Sequence, residues 1–139
     1  MKKTPNKSIG RGMKAWMLIL AAVPVIVLTL RSRSHSDQAL QPQELAALLK
    51  AKDTIALIDV RSPEEYAGGH IAGAKLIPLS ELGGRIAEIP RDKPVVFYCR
   101  SGHRSGNALD VVKDAGLMLP RHLGGGILAW TGAGLPTTR

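Results

Sequence analysis

Two short apolar runs, Ile55 to Val60 and Pro94 to Tyr98, constrain this chain more than any other feature. Neither alternates apolar with polar positions, as a strand with one wet face does, so each suits a strand covered on both faces. Lys75-Leu76-Ile77-Pro78 and Arg121 to Leu123 are shorter strand candidates. Between the runs lie segments with helical spacing. Pro42 suits a first helical turn ahead of Glu44 to Lys50, and further helices are expected at Pro63 to Ala67, Ser80 to Glu88, Ser105 to Ala115 and Ile127 to Trp130. Buried strands alternating with helices predict an α/β domain, a central, mostly parallel sheet flanked by helices. With 139 residues, 45% of them hydrophobic and 22% charged, the chain has material for one such core.

Ahead of that domain the pattern changes. Residues 1–14 are basic, residues 15–30 carry no formal charge (AWMLILAAVPVIVLTL), residues 31–41 are short and polar like a linker, and the domain occupies 42–139. An apolar helix over 15–30 rises roughly 24 Å, short of the ~30 Å hydrocarbon core but longer than many signal-peptide cores. No Ala-x-Ala arrangement follows the run, which goes directly into Arg31. Lys14 and Arg31 can reach back to the headgroups and Trp16 suits the interface, so an uncleaved single-pass signal anchor is expected. Pro24 would kink such a helix without forbidding it. Five cations before the run against two directly after it put the N-terminus inside and the domain on the extracytoplasmic, in a bacterium periplasmic, side. A cleaved signal leaving a soluble periplasmic domain is the alternative.

The net charge of +8 belongs almost wholly to this leading segment: seven of nineteen basic residues precede Asp37, and the twelve after it face eleven acidic ones. With five aromatic residues in the chain and a nearly neutral domain, nucleic-acid binding is not expected. Cys99 is the only cysteine, which excludes an intramolecular disulfide, a Cys-x-x-Cys zinc site and dithiol redox chemistry.

Cys99 directly follows the Val95-Val96-Phe97-Tyr98 strand and precedes a helix. In a parallel α/β sheet that is where reactive groups gather. A strand feeding a helix through Cys99-Arg100-Ser101-Gly102-His103-Arg104-Ser105 turns its backbone N–H groups toward the sulfur, an anion nest. Gly102 permits the positive φ the turn needs, and Arg100 and Arg104 favour a thiolate over a thiol. A buried, inert cysteine is the plainer reading, and two arginines, two serines and a glycine in the next six residues speak against it.

At this point the chain resembles the rhodanese family, from about Pro42 to Trp130. Ile58-Asp59-Val60-Arg61-Ser62-Pro63-Glu64-Glu65-Tyr66 is similar to the family's first motif, and Gly69-His70-Ile71-Ala72-Gly73-Ala74 with Ile77-Pro78-Leu79 to its second. Residues Cys99 to Ser105 resemble its active-site loop, and Gly124-Gly125-Gly126-Ile127-Leu128-Ala129-Trp130 its closing turn and tryptophan. The resemblance implies a thiosulfate sulfurtransferase-type enzyme. The Cys99 thiolate takes the sulfane sulfur of a small anionic donor such as thiosulfate and passes it, as a persulfide, to cyanide or a thiol. Arg100, Ser101, Gly102, His103, Arg104 and Ser105 would bind the substrate, with Asp59 and Arg61 supporting the loop. No metal or organic cofactor is implied. A dedicated protein acceptor is a further possible partner, because the chain has no second cysteine to resolve the persulfide.

His70 and Trp130 are expected to be structural, the Gly124–Gly126 run to shape a turn, and His103 to line the mouth without moving protons. Three other functions compete. Phosphatase or arsenate reductase chemistry also uses a cysteine–arginine loop, but the four residues between Cys99 and Arg104 are one fewer than related phosphatases have. A non-catalytic binding module would have no need of Cys99. A persulfide carrier serving one protein is indistinguishable from an enzyme at this level.

Overall fold

The computed structural model describes residues 34–139. The basic segment 1–14, the expected anchor helix 15–30 and the first residues of the expected linker lie outside the described residues.

Five strands and five helices make up the described chain: β1 (Ala39–Leu40), α1 (Pro42–Leu49), β2 (Ala56–Asp59), α2 (Pro63–Gly68), β3 (Lys75–Leu76), α3 (Leu79–Arg85), β4 (Val95–Tyr98), α4 (His103–Val112), β5 (Arg121–Leu123) and α5 (Gly126–Gly132). A 3-10 turn, Ile86–Glu88, follows α3. The strands form one sheet in the order β1-β5-β4-β2-β3, and every neighbouring pair is parallel. β4 and β2 are central, with Ile58 opposite Phe97 and Asp59 opposite Tyr98.

The continuous apolar runs fill two cores. Successive side chains of a strand point to opposite faces, so Ile58, Val95 and Phe97 join Leu82 of α3 and Ala108, Leu109 and Val112 of α4. Leu57, Val96 and Tyr98 face the other way, against Leu45 of α1 and Ile127 and Trp130 of α5. All residues of β2 and β4 are buried as a result. Each large apolar side chain so enclosed contributes roughly 1.5–3 kcal/mol relative to exposure.

The segment expected to be a linker is different in its last residues. Ala39 and Leu40 form β1 on β5, Leu40 is buried, and the Gln38 side-chain amide donates to the Pro120 carbonyl at 2.9 Å. A two-residue strand carries no periodicity to be read. It forms because β5 would otherwise leave an unpaired edge. The domain therefore starts before Pro42. Helix α4 also begins at His103, two residues earlier than its apolar spacing announces.

Candidate active site

Buried β4 delivers Cys99 to the C-terminal end of the sheet, and the chain surfaces at once, Cys99 being 1% exposed and Arg100 and Ser101 exposed. The loop then curls back on the sulfur. Gly102 adopts φ 101°, in the left-handed region, and its N–H points at Cys99 Sγ from 3.1 Å. A Cβ at this position would lie 3.2 Å from the Gly125 nitrogen, so both conformation and space call for glycine.

Burial alone pushes the Cys99 thiol up. The backbone N–H of Ser105, the Ser105 hydroxyl and the N–H groups of Gly102 and Ser101 outweigh it, and the net displacement is downward from the ordinary thiol value. The thiolate is thus stabilised first by the loop backbone, where the residue pattern pointed to the arginines.

Helix α5 holds the loop from outside. The Ile127 N–H donates to the Cys99 carbonyl at 2.8 Å and the Leu128 N–H to the Arg100 carbonyl at 3.1 Å. With these carbonyls engaged outward, the loop's N–H groups are left to face the sulfur. The approach is close enough that a Cβ on Gly126, itself at φ 61°, would come within 2.6 Å of the Cys99 carbonyl oxygen. The triple glycine is a docking surface for the reactive loop as well as a turn.

The two arginines of the loop have separate roles. Arg104 is bound in fork geometry to Glu65, at 2.7 and 2.9 Å, which holds the Glu65 carboxyl down at about 2. Arg100 is exposed and makes no salt bridge among the described residues. Asp59 and Arg61 are buried and grip one another, with Arg61 Nε 3.0 Å and its terminal nitrogen 2.7 Å from the carboxylate. Arg61 also donates to the Gly69 carbonyl at 2.8 Å and lies over the Tyr98 ring. A cleft of about 490 Å³ opens between these elements, lined by Val60, Arg61, Pro78, Leu79, Ser80 and Arg104.

His103 is exposed at the first turn of α4. His70 stacks on Tyr66 with ring centroids 3.7 Å apart and bonds the Tyr66 carbonyl, and Trp130 is buried with its indole N–H on the Pro136 carbonyl. Ser105 sits beneath the sulfur, wholly buried, its Oγ 3.6 Å from Sγ and 2.9 Å from His122 Nδ1.

Glu65 and His122 are the site's neighbours that residue patterns did not single out. Ser62-x-x-Glu65 is a capping-box spacing, and that is the only local signal Glu65 gives. His122 is the middle residue of the three-residue β5, and only the sheet order reveals its burial. Among the described residues no group of three His, Cys, Asp or Glu could hold a metal ion.

The family model for the Rhodanese-like domain matches residues 41–133. A protein called Sulfurtransferase from Allochromatium vinosum is 39% identical over 94 residues, covering 68% of this chain and 88% of its own. Protein slr1261 of Synechocystis sp. is 41% identical over 108 residues, 78% of this chain, and the chain spans 60% of its length. Among solved structures, a rhodanese-related protein from Thermoplasma volcanium superposes with a TM-score of 0.67 at 31% identity, over 73% of this chain and 97% of that one.

Proposed function

The chain belongs to the rhodanese-like domain family, and from that premise we propose that it is a sulfurtransferase carrying sulfane sulfur on Cys99. The Cys99 thiolate attacks the outer sulfur of a donor such as thiosulfate. A new S–S bond forms, the donor's S–S bond breaks with its electron pair, and sulfite leaves. The terminal sulfur of the persulfide carries the negative charge. A thiol or cyanide then attacks it and returns the electron pair to Cys99 Sγ. The observation that carries this reading is the Gly102 N–H directed at Sγ from 3.1 Å, in a loop whose Cys99 and Arg100 carbonyls are turned outward onto α5. Such preorganised donors stabilise charge on sulfur without rearrangement.

One observation favours a narrower reading, a persulfide carrier for a dedicated protein partner. With Arg104 bound to Glu65, a small dianion meets one free loop arginine, Arg100, rather than two. The same experiment tests both. The full-length protein is incubated with thiosulfate, its intact mass is measured, and cyanide is then added while thiocyanate is assayed. A gain of one sulfur, discharged by cyanide, is expected. No adduct from thiosulfate, with loading from a protein persulfide, selects the carrier, and no adduct from either removes the sulfurtransferase reading.

The charge-free run 15–30, with five cations before it, supports a signal anchor that exposes the domain outside the cytoplasm. A reporter fused at Arg139 that is active only in the cytoplasm would overturn this topology.

A further inference from the structure

The mechanism above leaves unused a buried polar chain beneath the sulfur. Cys99, Ser105 and His122 are 1%, 0% and 7% exposed, and their polar atoms line up as Sγ, Oγ and Nδ1 with separations of 3.6 and 2.9 Å. A histidine inside a parallel sheet costs desolvation, and its Nδ1 bonds the hydroxyl that touches the nucleophile. In the sheet His122 pairs in register with Phe97, a member of the apolar core that α4 closes with Ala108 and Leu109.

We propose that His122 is a positioning residue for Cys99, acting through the Ser105 hydroxyl, which it turns away from the sulfur or toward it. The inference rests on the sulfurtransferase reading only for its use, since it concerns the resting thiol. Ser105 has one hydroxyl proton, for which Nδ1 at 2.9 Å and the sulfur compete with the Gly102 carbonyl at 3.2 Å. In the thiol state the Cys99 S–H donates to Ser105 Oγ, and the Ser105 O–H donates to unprotonated Nδ1. In the thiolate state the Nδ1–H donates to Oγ, and the Ser105 O–H donates to Sγ. Passing from the first to the second moves each proton one place. The S–H bond breaks as a new O–H bond forms, and the hydroxyl's former proton forms the Nδ1–H bond. The thiol proton is delivered to the imidazole, and nothing is oxidised or reduced. In the discharge step charge returns to Sγ, where the same hydroxyl meets it.

The titratable and charged groups around His122 are Cys99 at the end of β4, His35 on the N-terminal turn and Asp110 on α4, which pairs with His35 at 3.0 Å. Burial pushes the His122 imidazole down, against a smaller upward pull from the His35 backbone. A thiolate beside it offsets part of that desolvation cost for a proton on Nδ1.

The test is the pH profile of Cys99 alkylation by iodoacetamide on the full-length protein, which needs no sulfur donor and so separates this inference from the function itself. In His122→Phe the alkylation midpoint rises by about one pH unit, a roughly tenfold loss of rate below it. In His122→Asn, whose amide can bond Ser105 but does not titrate, the rise is smaller. In Ser105→Ala the midpoint rises and adding His122→Phe changes it no further. Additive shifts, or none in a folded His122→Phe, overturn the relay. Should His122→Phe fail to fold, the nitrogen-15 shift of His122 Nδ1 in the unmodified chain decides. It follows the Cys99 titration and loses that step in Cys99→Ser if the relay exists, and titrates independently if it does not.

Discussion

The loops leaving β2 and β4 are neighbours at one end of the sheet and run the same course, from buried strand through a short turn into a helix. The first is closed by its own side chains. Ser62 accepts from the Glu65 N–H at 3.2 Å, Glu65 answers to the Ser62 N–H, and Asp59 takes the Arg61 N–H and guanidinium. The second is capped by Gly102, which has no side chain to spend, so its N–H groups turn to the sulfur. Helix starts need partners for their first N–H groups. A loop that satisfies them internally is a structural corner, and one that leaves them open has a place for an anion.

The largest effect is expected at the open loop. Cys99→Ser abolishes both sulfur loading and thiocyanate formation while thermal unfolding of the chain is retained. Residual turnover would mean that chemistry does not depend on this loop. Next comes the closed corner, where Asp59→Ala leaves Arg61 buried without its carboxylate. That costs about 3–5 kcal/mol, read from urea unfolding midpoints, and a loss below 1 kcal/mol would show that the pair is not what closes the corner. Gly126→Ala sharpens the contrast from outside. Its Cβ meets the carbonyls of Cys99 and Arg100, so a loss of about 1–3 kcal/mol should come with a slower, higher-pH alkylation of Cys99. The smallest effect is acid sensitivity of the bridge between the loops. The Glu65 carboxyl is depressed from the usual 4.5 to about 2 by Arg104, so its stabilisation is fully present above pH 4.5 and is lost as pH falls toward 2. Because both side chains are about a third exposed, at 36% and 32%, the contribution is about 1 kcal/mol or less. Glu65→Gln should flatten that part of the stability–pH curve, and an unchanged slope would remove the bridge from the account.

Residue order by itself determined the α/β class, the two central strands and the loop of Cys99. Those features are local: apolar continuity marks a strand covered on both faces, and proline and glycine mark where helices start and turns curl. Tertiary structure decided what the local pattern could not carry. β1 exists only because β5 offers it an edge. Arg104 and Arg100, alike in sequence, diverge because α2 brings Glu65 to one and not the other. The Cys99 and Arg100 carbonyls turn outward because α5, more than twenty residues on, presents its first N–H groups there. His122 reaches Ser105 because the sheet order places β5 beside β4. Each of these depends on groups distant in the chain meeting at a few ångströms, and such meetings leave no periodicity in the residues that make them.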